Sequence, residues 1–430
     1  MWSCAGKMAA GMWPGRSSGD RLPGMLRFLT AGESHGPSLV IIIEGLPAGL
    51  PIVEDEIQAE LSRRRLGYGR GPRMRFEQDE LTIHAGIRHG RTLGSPVAIE
   101  IGNTEWPKWV EEMSAAPGMP SKILTEPRPG HADLAGMQKF GFADARDVLE
   151  RASARETAAR VVVGTFAKKL LSYIGVSILS HVVRIGEASV APGTRPGPDD
   201  LAAIDASEVR CFDPLAADAM VAEIKAAMKE GDSLGGIAEV LAFNVPVGLG
   251  SHVHWDRKLD GLLAQALMSI HAIKGVEIGD GFAVASQRGS VAHDAIYWDE
   301  DAHAYVRETS RAGGVEGGIS HGGLIVARAA MKPLATLSRP VMHTVDVVTK
   351  EETVSFRERT DATAVPAMGV VAETMVAIVL ADEALRKFGG DSLSEFLRNH
   401  DGFLGALDET PSAVAMQAVP DAEPVREAAS

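Results

Sequence analysis

Apolar residues recur at helical spacing or in short runs along most of the chain, and this pattern predicts mixed helices and strands. Val53, Ile57 and Leu61 lie on one face of a predicted helix, Glu54–Leu66, which carries acids in its first turn. The apolar run Val40–Glu44 follows a glycine-rich turn and indicates a buried strand. The first part of the chain therefore contains at least one helix and one core strand.

Longer helices are predicted in both halves of the chain. Asp147–Tyr173 carries an apolar stripe at helical spacing, and Pro366–Phe388 begins with proline and is followed by two glycines. The remaining predicted elements are helices at Ala217–Glu230 and Lys258–Ile273, a strand at Leu324–Ala330, strands and turns over His84–Ile101, and a surface loop at Ala191–Asp200. Because helices and strands do not alternate regularly, we expect an α+β fold and not a doubly wound parallel sheet.

The two ends of the 430-residue chain differ from the rest in composition. Residues 1–24 are rich in glycine, methionine and small residues, with no apolar region of signal-peptide length. Residues 401–430 end in a tail rich in alanine, proline and glutamate. We expect a disordered N-terminal extension at 1–24, a single domain at 25–400 and a flexible tail at 401–430.

Composition also narrows the classes of function. A net charge of −14 disfavours nucleic acid as a partner. No apolar run approaches the roughly 18 residues needed to cross a bilayer, so we expect no membrane partner. Cys4 and Cys211 are the only cysteines, which fits a cytoplasmic protein and argues against a cysteine-based zinc site, and we expect no metal. No Gly-x-Gly-x-x-Gly follows a predicted strand, which argues against a Rossmann domain.

The segment Gly32–Gly36, Gly-Glu-Ser-His-Gly, supports two interpretations. It matches the Gly-x-Ser-x-Gly pattern of a hydrolase elbow with Ser34 as nucleophile, but that motif requires a following helix, and a strand-like run follows here. The alternative assigns the chemistry to His35, an imidazole on a glycine-flanked turn that a ligand can approach closely. A histidine that merely satisfies the turn is also compatible with this segment.

Other segments of the sequence contribute a second histidine and a set of arginines. His131 lies in the Pro- and Gly-containing loop Arg128–Asp133, and an island of six arginines without an acid runs from Arg63 to Arg75. Guanidinium groups bind phosphate and carboxylate through paired hydrogen bonds. Arg151 and Arg155 have i, i+4 spacing and are predicted to share a helix face. Each basic set alone also fits ordinary surface charge, but together with two histidines they indicate proton transfer beside a polyanion.

These motifs, in this order, resemble the chorismate synthase family. The matching blocks are Gly32–Gly36, Arg128–Asp133, Arg151–Thr157, Lys274–Phe282 and Glu316–Ser320, and the resemblance extends from about Met25 to Asn399. It implies a lyase of the shikimate pathway that converts 5-enolpyruvylshikimate 3-phosphate to chorismate by an anti 1,4-elimination of phosphate. It implies reduced FMN (FMNH2) as a cofactor without net redox change. It also implies a β-α-β sandwich, with helices between antiparallel sheets, assembled as a homotetramer.

The resemblance further implies roles for individual residues. His35 would donate a proton to the leaving phosphate, His131 would protonate the reduced flavin, and Asp361 would assist proton removal near the flavin's central nitrogen. The residues implied to hold substrate, in part at positions associated with NADP, are Arg64, Arg70 and Arg155. The residues implied to contact the flavin are Arg151, Ala152, Ser153, His271, Ala272, Gly317, Lys332, Pro333, Leu334, Ala335, Thr336 and Arg359.

The chain departs from the usual family pattern at three positions. Ala335 replaces the serine of Lys-Pro-x-Ser-Thr, Thr360 replaces the serine of Arg-Ser-Asp, and His271 stands where an amide side chain is common. One lost neutral hydrogen bond costs about 0.5–1.5 kcal/mol, so we expect weaker flavin binding at Ala335 and not inactivity.

The source of reducing equivalents and two other functions stay open at this point. The resemblance is compatible with NADPH as reductant, and because no insertion suggests a built-in reductase, we expect an external flavin reductase. The competing functions are a serine hydrolase that uses Ser34 and a flavin- or anion-binding homologue without turnover, for which the change at Ala335 is the only support.

Overall fold

The structure is a computed structural model that describes residues 25–70, 79–301, 304–356 and 360–408. The strands are β1 Arg27–Ala31, β2 Ser38–Glu44, β3 Glu80–Ala85, β4 Ile87–Arg88, β5 Arg91–Thr92, β6 Val97–Gly102, β7 Ser177–Ile185, β8 Ala188–Ser189, β9 Gly236–Phe243, β10 Ile273–Ile278, β11 Ile296–Asp299, β12 Ala304–Arg307, β13 Val315–Glu316, β14 Ile319–Ser320, β15 Ile325–Met331, β16 His343–Val345 and β17 Glu352–Val354. The α-helices are α1 Glu54–Arg65, α2 Asp133–Phe140, α3 Arg146–Ala152, α4 Glu156–Ser172, α5 Leu201–Ala206, α6 Pro214–Glu230, α7 Leu259–Met268, α8 Gly289–Ala292, α9 Val365–Phe388 and α10 Leu393–Asp408. Short 3-10 turns lie at Trp106–Lys108, Trp255–Arg257 and Gly281–Ser286.

The first sheet has four antiparallel strands in the order β1-β2-β6-β3. Along β2, Leu39, Ile41 and Ile43 are buried, whereas Val40 and Ile42 on the opposite face are exposed. This alternation follows from the two-residue period of a strand. The buried face packs against α4, and the other face remains open in the single chain.

The second sheet has five antiparallel strands in the order β10-β15-β9-β7-β8. Helix α9 packs against β7 and β9 on one side and against α4 on the other. The layers therefore run from the first sheet through α4 and α9 to the second sheet. This arrangement confirms the predicted α+β class and the β-α-β sandwich with helices between antiparallel sheets.

Among the described helices, α9 alone has the length and hydropathy that could cross a membrane, and 89% of its most apolar window is buried inside the protein. Glu373 interrupts the apolar run, which is why the sequence shows no continuous stretch of that length. The burial identifies α9 as a helix of the protein core.

Glu373 joins the central helices through a buried cluster of charges. Its carboxylate accepts a hydrogen bond from Arg63 of α1 at 2.8 Å and from the Ser180 hydroxyl of β7 at 3.0 Å, and it also pairs with Lys168 of α4. Burial raises the pKa of Glu373, but the charges of Arg63 and Lys168 outweigh burial and hold it well below its usual range. The ionised group thereby links three helices to the second sheet.

Three predicted helix boundaries are wrong. The helix predicted at Lys258–Ile273 ends at Met268, and Ile273 is the first residue of β10. The predicted single helix Asp147–Tyr173 is divided into α3 and α4, because Ser153 adopts an extended backbone with φ −72° and ψ 143°. The last helix continues to Asp408, beyond the predicted tail boundary at residue 400, because Phe403 packs against the main core. At Ser153 and at the C-terminal end of α10, tertiary contacts override the local sequence pattern.

Helix α4 packs tightly against α9 at Gly164. A Cβ added there would be 2.2 Å from Cγ2 and 2.8 Å from Cβ of Thr374. Glycine to alanine in an open helical position stabilises by up to about 1 kcal/mol, whereas overpacking costs about 1–3 kcal/mol. We expect Gly164→Ala to lower the free energy of unfolding, measured by urea denaturation, by roughly 1–2 kcal/mol.

Gly402 of α10 provides the matched control, because a Cβ added there meets no atom within 4 Å. We expect Gly402→Ala to leave stability unchanged or to raise it by up to about 1 kcal/mol. Equal stabilisation by both substitutions would contradict the close packing of α4 on α9.

Candidate active site

The turn Gly32–Gly36 joins β1 to β2, two antiparallel neighbours in the first sheet. Gly32 has φ +104°, and a Cβ there would lie 2.3 Å from the carbonyl oxygen of Ser38, so the turn requires glycine. Ser34 is buried, and its Oγ accepts a hydrogen bond from the Ser153 hydroxyl at 3.0 Å. Because this turn joins two strands, it does not form the strand–turn–helix of a hydrolase elbow.

His35 is held by groups from two other segments. Its Nδ1 lies 2.9 and 3.1 Å from the two carboxylate oxygens of Glu150, and its ring lies over Trp109 with 4.0 Å between centroids. Arg146 pairs with the same carboxylate at 3.0 Å. Burial raises the pKa of Glu150, but hydrogen bonds from His35 and the charge of Arg146 outweigh burial, and the net pKa is lowered. Glu150 is therefore ionised at neutral pH and orients the imidazole.

Arg151 and Arg155 lie on opposite sides of the break between α3 and α4. The guanidinium of Arg151 donates to the carbonyl oxygens of Thr30 at 2.8 Å and Gly32 at 3.0 Å, whereas Arg155 donates to that of Gly102 at 3.1 Å. The prediction that these arginines share one helix face is wrong, because the intervening turn is not helical. Ala152 ends α3, and Ser153 begins the turn.

Arg64 and Arg155 are buried arginines beside the first turn of α4, with 7% and 8% of their surfaces exposed. Arg64 donates from Nε to the Thr157 hydroxyl at 3.0 Å and from Nη2 to the Ala154 carbonyl at 2.9 Å. The N-terminus of a helix carries a partial positive charge. The two guanidinium groups and the start of α4 together form a region suited to an anion.

Arg70 and Asp361 form an ion pair, with 3.0 Å between Arg70 Nε and an Asp361 carboxylate oxygen. The adjacent backbone supports this pairing, since Ala362 N–H donates to the Gly69 carbonyl at 2.9 Å. The structure thus brings Arg70, the fourth arginine of the island, to Asp361. Arg359, predicted to contact the flavin, lies outside the described residues, as do the last arginines of the island.

His131 belongs to a second histidine–carboxylate pair. Its Nδ1 lies 2.5 Å from Asp133 Oδ1, and Arg128 donates to the same carboxylate at 2.8 Å and to the Thr336 hydroxyl at 3.0 Å. Burial raises the pKa of Asp133, but hydrogen bonds from His131 and Arg128 outweigh burial and hold that pKa far below its usual range. Asp133 is thus an ionised group that orients His131 and Arg128 together.

The segment Lys332–Thr336, which includes Pro333, follows β15 and contacts two other predicted flavin-binding segments. Lys332 donates from Nζ to the carbonyl oxygen of Gly130 in the His131 loop and from its backbone N–H to that of Ala272 at 3.0 Å. A Cβ added to Gly130 would lie 3.8 Å from Cβ of Ala335. The segment itself is anchored by a hydrogen bond of 2.8 Å from the Ser233 hydroxyl to the Leu334 carbonyl.

His271 precedes Ala272, which has φ +64° in the left-handed region that disfavours side chains. Nδ1 of His271 is buried without a hydrogen-bond partner among the described residues, and Glu156 Oε2 lies 4.0 Å away. Burial lowers the pKa of His271, and the nearby charge of Arg160 lowers it further against the opposing effect of Glu156. A buried polar atom without a partner is uncommon in proteins, and a bound ligand would satisfy it.

Gly317 lies in the turn between β13 and β14 with φ +60°, and a Cβ there would be 4.0 Å from Cβ of His252. The next residue, Gly318, accepts a hydrogen bond from the backbone of Leu259 at 2.9 Å. These contacts anchor the turn to the start of α7. They do not by themselves place Gly317 beside the two histidine–carboxylate pairs.

One cluster within the described ranges has the spacing of metal ligands: Asp294, Glu316 and His321 offer ligand atoms within 4.8 Å of one another. The Asp294 carboxylate already accepts hydrogen bonds from the backbone N–H groups of residues 311 and 312, both at 2.9 Å. Glu316 pairs with Arg307 at 2.7 Å. Because these oxygens are occupied and a guanidinium lies beside them, we assign no metal to the cluster.

Three residues of this site were not identified from the sequence: Glu150, Trp109 and Glu156. Glu150 and Glu156 flank the Arg-Ala-Ser-Ala-Arg run, but their spacing also fits surface charges on a helix. Glu156 accepts a hydrogen bond of 3.0 Å from the Thr30 hydroxyl, again across the break. Contacts between segments far apart in the chain give no local sequence pattern.

Known proteins of one family match most of the chain. The family model described as chorismate synthase matches residues 26–385. The chorismate synthase of Micrococcus luteus is 57% identical over 396 residues, covering 90% of this chain and 96% of that protein. That of Salinispora tropica is 59% identical over 392 residues, covering 89% and 99%. A crystal structure of a chorismate synthase aligns with TM-score 0.72 and 42% identity over 90% of this chain and 99% of the other.

The chain belongs to the chorismate synthase family. The resemblance inferred from the motifs is thereby confirmed, and the chain is a carbon–oxygen lyase that serves aromatic amino acid biosynthesis. The serine hydrolase alternative is wrong, because Ser34 is buried between antiparallel strands. The alternative of a homologue without turnover keeps no support beyond Ala335.

The Asp133 carboxylate makes this synthase's stability depend on pH in a defined direction. Because its folded-state pKa lies below the unfolded value of about 3.9, the carboxylate stabilises the fold above that pH and loses this effect as pH falls. We expect Asp133→Asn to lower the free energy of unfolding by about 1–3 kcal/mol at pH 7. The difference from wild type should shrink as pH falls below about 4.

Asp218, exposed on α6, is the matched control. Asp218→Asn should change the free energy of unfolding, measured by denaturant unfolding, by less than about 0.5 kcal/mol both at pH 7 and below about pH 4. If the Asp133→Asn difference were the same at both pH values, the carboxylate would not carry the depressed pKa.

Proposed function

We propose that the Glu150–His35 and Asp133–His131 pairs act together in eliminating phosphate from 5-enolpyruvylshikimate 3-phosphate to give chorismate, with reduced FMN as cofactor. The observation that carries this proposal is the repeated geometry, in which each histidine bonds through Nδ1 to a buried, ionised carboxylate. Such a pair fixes the ring, and at His35 it leaves the other nitrogen for proton exchange, whereas Nε2 of His131 also lies 3.4 Å from Arg128 Nη2. The contacts of residues 150–156 extend from His35 to His271, and His131 lies close enough to His271 to lower the pKa of that imidazole.

The substrate suits the charges of the site, because it carries one phosphate and two carboxylates. Arg64 and Arg155 are buried at the N-terminus of α4, and Arg70 lies beside Asp361. Planar guanidinium groups recognise such anions through paired hydrogen bonds, which strengthen where water is excluded. We propose that these three arginines hold the substrate.

Elimination needs a proton for the departing phosphate and a base for the ring hydrogen. His35 would supply the first proton, since its ring is oriented by Glu150 and covered by Trp109. Asp361, paired with Arg70, would assist removal of the ring hydrogen. Positioned acids and bases of this kind contribute about 10²–10⁴ to a rate.

The donors near His131 fit a reduced flavin. Lys332, Thr336 and the unpartnered Nδ1 of His271 offer polar groups to an anionic or carbonyl-bearing edge, and the glycine at position 130 lets a ring approach the backbone. When bound, reduced FMN supplies electron density as phosphate departs and recovers it when the ring hydrogen is lost. His131 would hold a proton beside its pyrimidine edge. Ala335 removes one hydroxyl from this set.

We propose further properties of the enzyme, which concern its assembly, its compartment and the source of its reducing equivalents. Leu29, Val40 and Ile42 form an exposed apolar patch on the outer face of the first sheet, which supports assembly into a homotetramer in which this face is covered. A gel-filtration mass near four chains would support this assembly.

We propose a cytoplasmic enzyme whose FMN is reduced by an external flavin reductase, with NADPH as the ultimate reductant.

The proposed function is tested by anaerobic assay of the purified protein with chemically reduced FMN and 5-enolpyruvylshikimate 3-phosphate. We expect release of phosphate and formation of chorismate, and no turnover when the flavin is left oxidised. His35→Ala should lower kcat by about 10²–10⁴-fold because the proton donor is lost.

Ser34→Ala is the paired variant from the same turn, and it removes only the hydrogen bond with Ser153. It should lower kcat by about tenfold or less. Loss of activity in Ser34→Ala with full activity in His35→Ala would overturn the assignment, as would failure of the wild type to turn over with reduced FMN.

A further inference from the structure

We infer that Glu150 is a positioning residue for this reaction, which holds Nδ1–H of His35 so that Nε2 of the charged ring delivers the proton to the departing phosphate. The inference rests on the proposed function, and it assigns to Glu150 an effect on His35 and not on the substrate. Four observations support it: the hydrogen bonds of the Glu150 carboxylate, the burial of that carboxylate, the Trp109 ring that lies against His35, and the Arg146 guanidinium that pairs with Glu150.

The Glu150 carboxylate binds both the side chain and the backbone of the residue it positions. Oε2 accepts the backbone N–H of His35 at 2.8 Å, while both oxygens face Nδ1 of the ring at 2.9 and 3.1 Å. The Glu150 carbonyl also accepts the N–H of Ser34 at 3.0 Å. Only 3% of the Glu150 side chain is exposed. The carboxylate therefore has one geometry relative to the ring.

An ionised carboxylate is an acceptor only, so Nδ1 must carry a hydrogen. In the neutral ring Nε2 is then the unprotonated nitrogen, and in the charged ring it carries the second hydrogen. No described residue bonds Nε2 of His35. The carboxylate also stabilises the charged ring, which is the proton-donating form.

The other groups around His35 limit its movement and its charge. Trp109 covers one face of the ring, and the Arg146 guanidinium lies 5.1 Å from the Trp109 ring centroid while it pairs with Glu150 at 3.0 Å. Among the described residues, the charged group that contacts the imidazole is Glu150 of α3, and Arg146 of the same helix pairs with that carboxylate. The positive charge of Arg146 partly offsets the negative charge of Glu150 near the ring, and it helps to keep that carboxylate ionised.

The carbon–oxygen bond to phosphate breaks, and its electron pair stays on the phosphate oxygen. That oxygen then takes the proton from Nε2 of His35. The N–H bond at Nε2 breaks, and the ring is left neutral with Nδ1–H still donating to Glu150. Because Glu150 keeps its negative charge throughout, it is not itself a proton donor.

Glu150→Gln tests this inference, because glutamine keeps the shape of the side chain and removes its charge. We expect kcat to fall by about tenfold or more with little change in KM. The high-pH limb of the kcat profile should move to lower pH, since the charged ring loses the carboxylate that stabilises it. A purely structural role would not move this limb.

Glu112→Gln is the matched control, since Glu112 lies 3.7 Å from Arg146 and pairs with that cation but not with His35. It should leave kcat and the pH limb as in wild type. In the His35→Ala background, adding Glu150→Gln should lower kcat by less than about twofold, because Glu150 acts through the ring that is already missing.

The outcomes separate this inference from the proposed function. If wild type turns over and His35→Ala is impaired, but Glu150→Gln shows an unmoved pH limb or a loss that multiplies with that of His35→Ala, the positioning role is overturned and the proposed function stands. If His35→Ala is fully active, the role assigned to His35 fails first. Thermal unfolding of each variant identifies any loss that comes from misfolding.

Discussion

The break between α3 and α4, at residues 153–155, is the constraint on which the site depends. Before it, Glu150 binds the His35 turn, and after it, Glu156 binds Thr30 and approaches His271. Within it, Ser153 bonds Ser34, and Ala154 accepts from Arg64. In a continuous helix the backbone N–H of residue 158 would bond the Ala154 carbonyl, whereas here that N–H bonds Arg155 and the Ala154 carbonyl accepts from Arg64.

The structure stabilises this irregular segment through the regular elements around it. The α4–α9 pair is packed closely enough to require glycine at position 164, and the buried Glu373 joins it to α1 and the second sheet. A buried charge is tolerated only when it is paired and hydrogen-bonded, and here arginine, lysine and serine meet that condition. Because Arg63 and Arg64 are consecutive in α1, the same cluster that neutralises Glu373 also fixes the helix end that carries Arg64.

The fold was predictable from the sequence where local pattern and burial agree. The run Val40–Glu44 forms the last five residues of β2, although only one of its faces is buried, and the helix beginning at Glu54 ends within one residue of its predicted end. The helix break was not predictable, because the residues around Ser153 have no glycine or proline and the turn is stabilised by contacts with distant segments. Tertiary contacts of this kind override weak helical propensity.

The same distinction applies to the site. His35 and His131 were identified because glycine and proline expose them on short loops, and Asp133 lies close to His131 in sequence. Glu150 lies 115 residues from His35, so no spacing rule connects them. The unpartnered nitrogen of His271 is visible only once burial is known. The motifs therefore indicated the chemical groups, and the fold supplied the carboxylates that orient them.

The central claim is that one site holds the substrate phosphate at His35 and the flavin at His131 and His271. A crystal structure of the enzyme with FMN and 5-enolpyruvylshikimate 3-phosphate bound would test it most directly. The account predicts a phosphate oxygen within hydrogen-bond distance of His35 Nε2, and the flavin beside His131 and the Nδ1 of His271. A structure in which His35, His131 and Asp361 line separate cavities, or in which the phosphate binds away from His35, would contradict it.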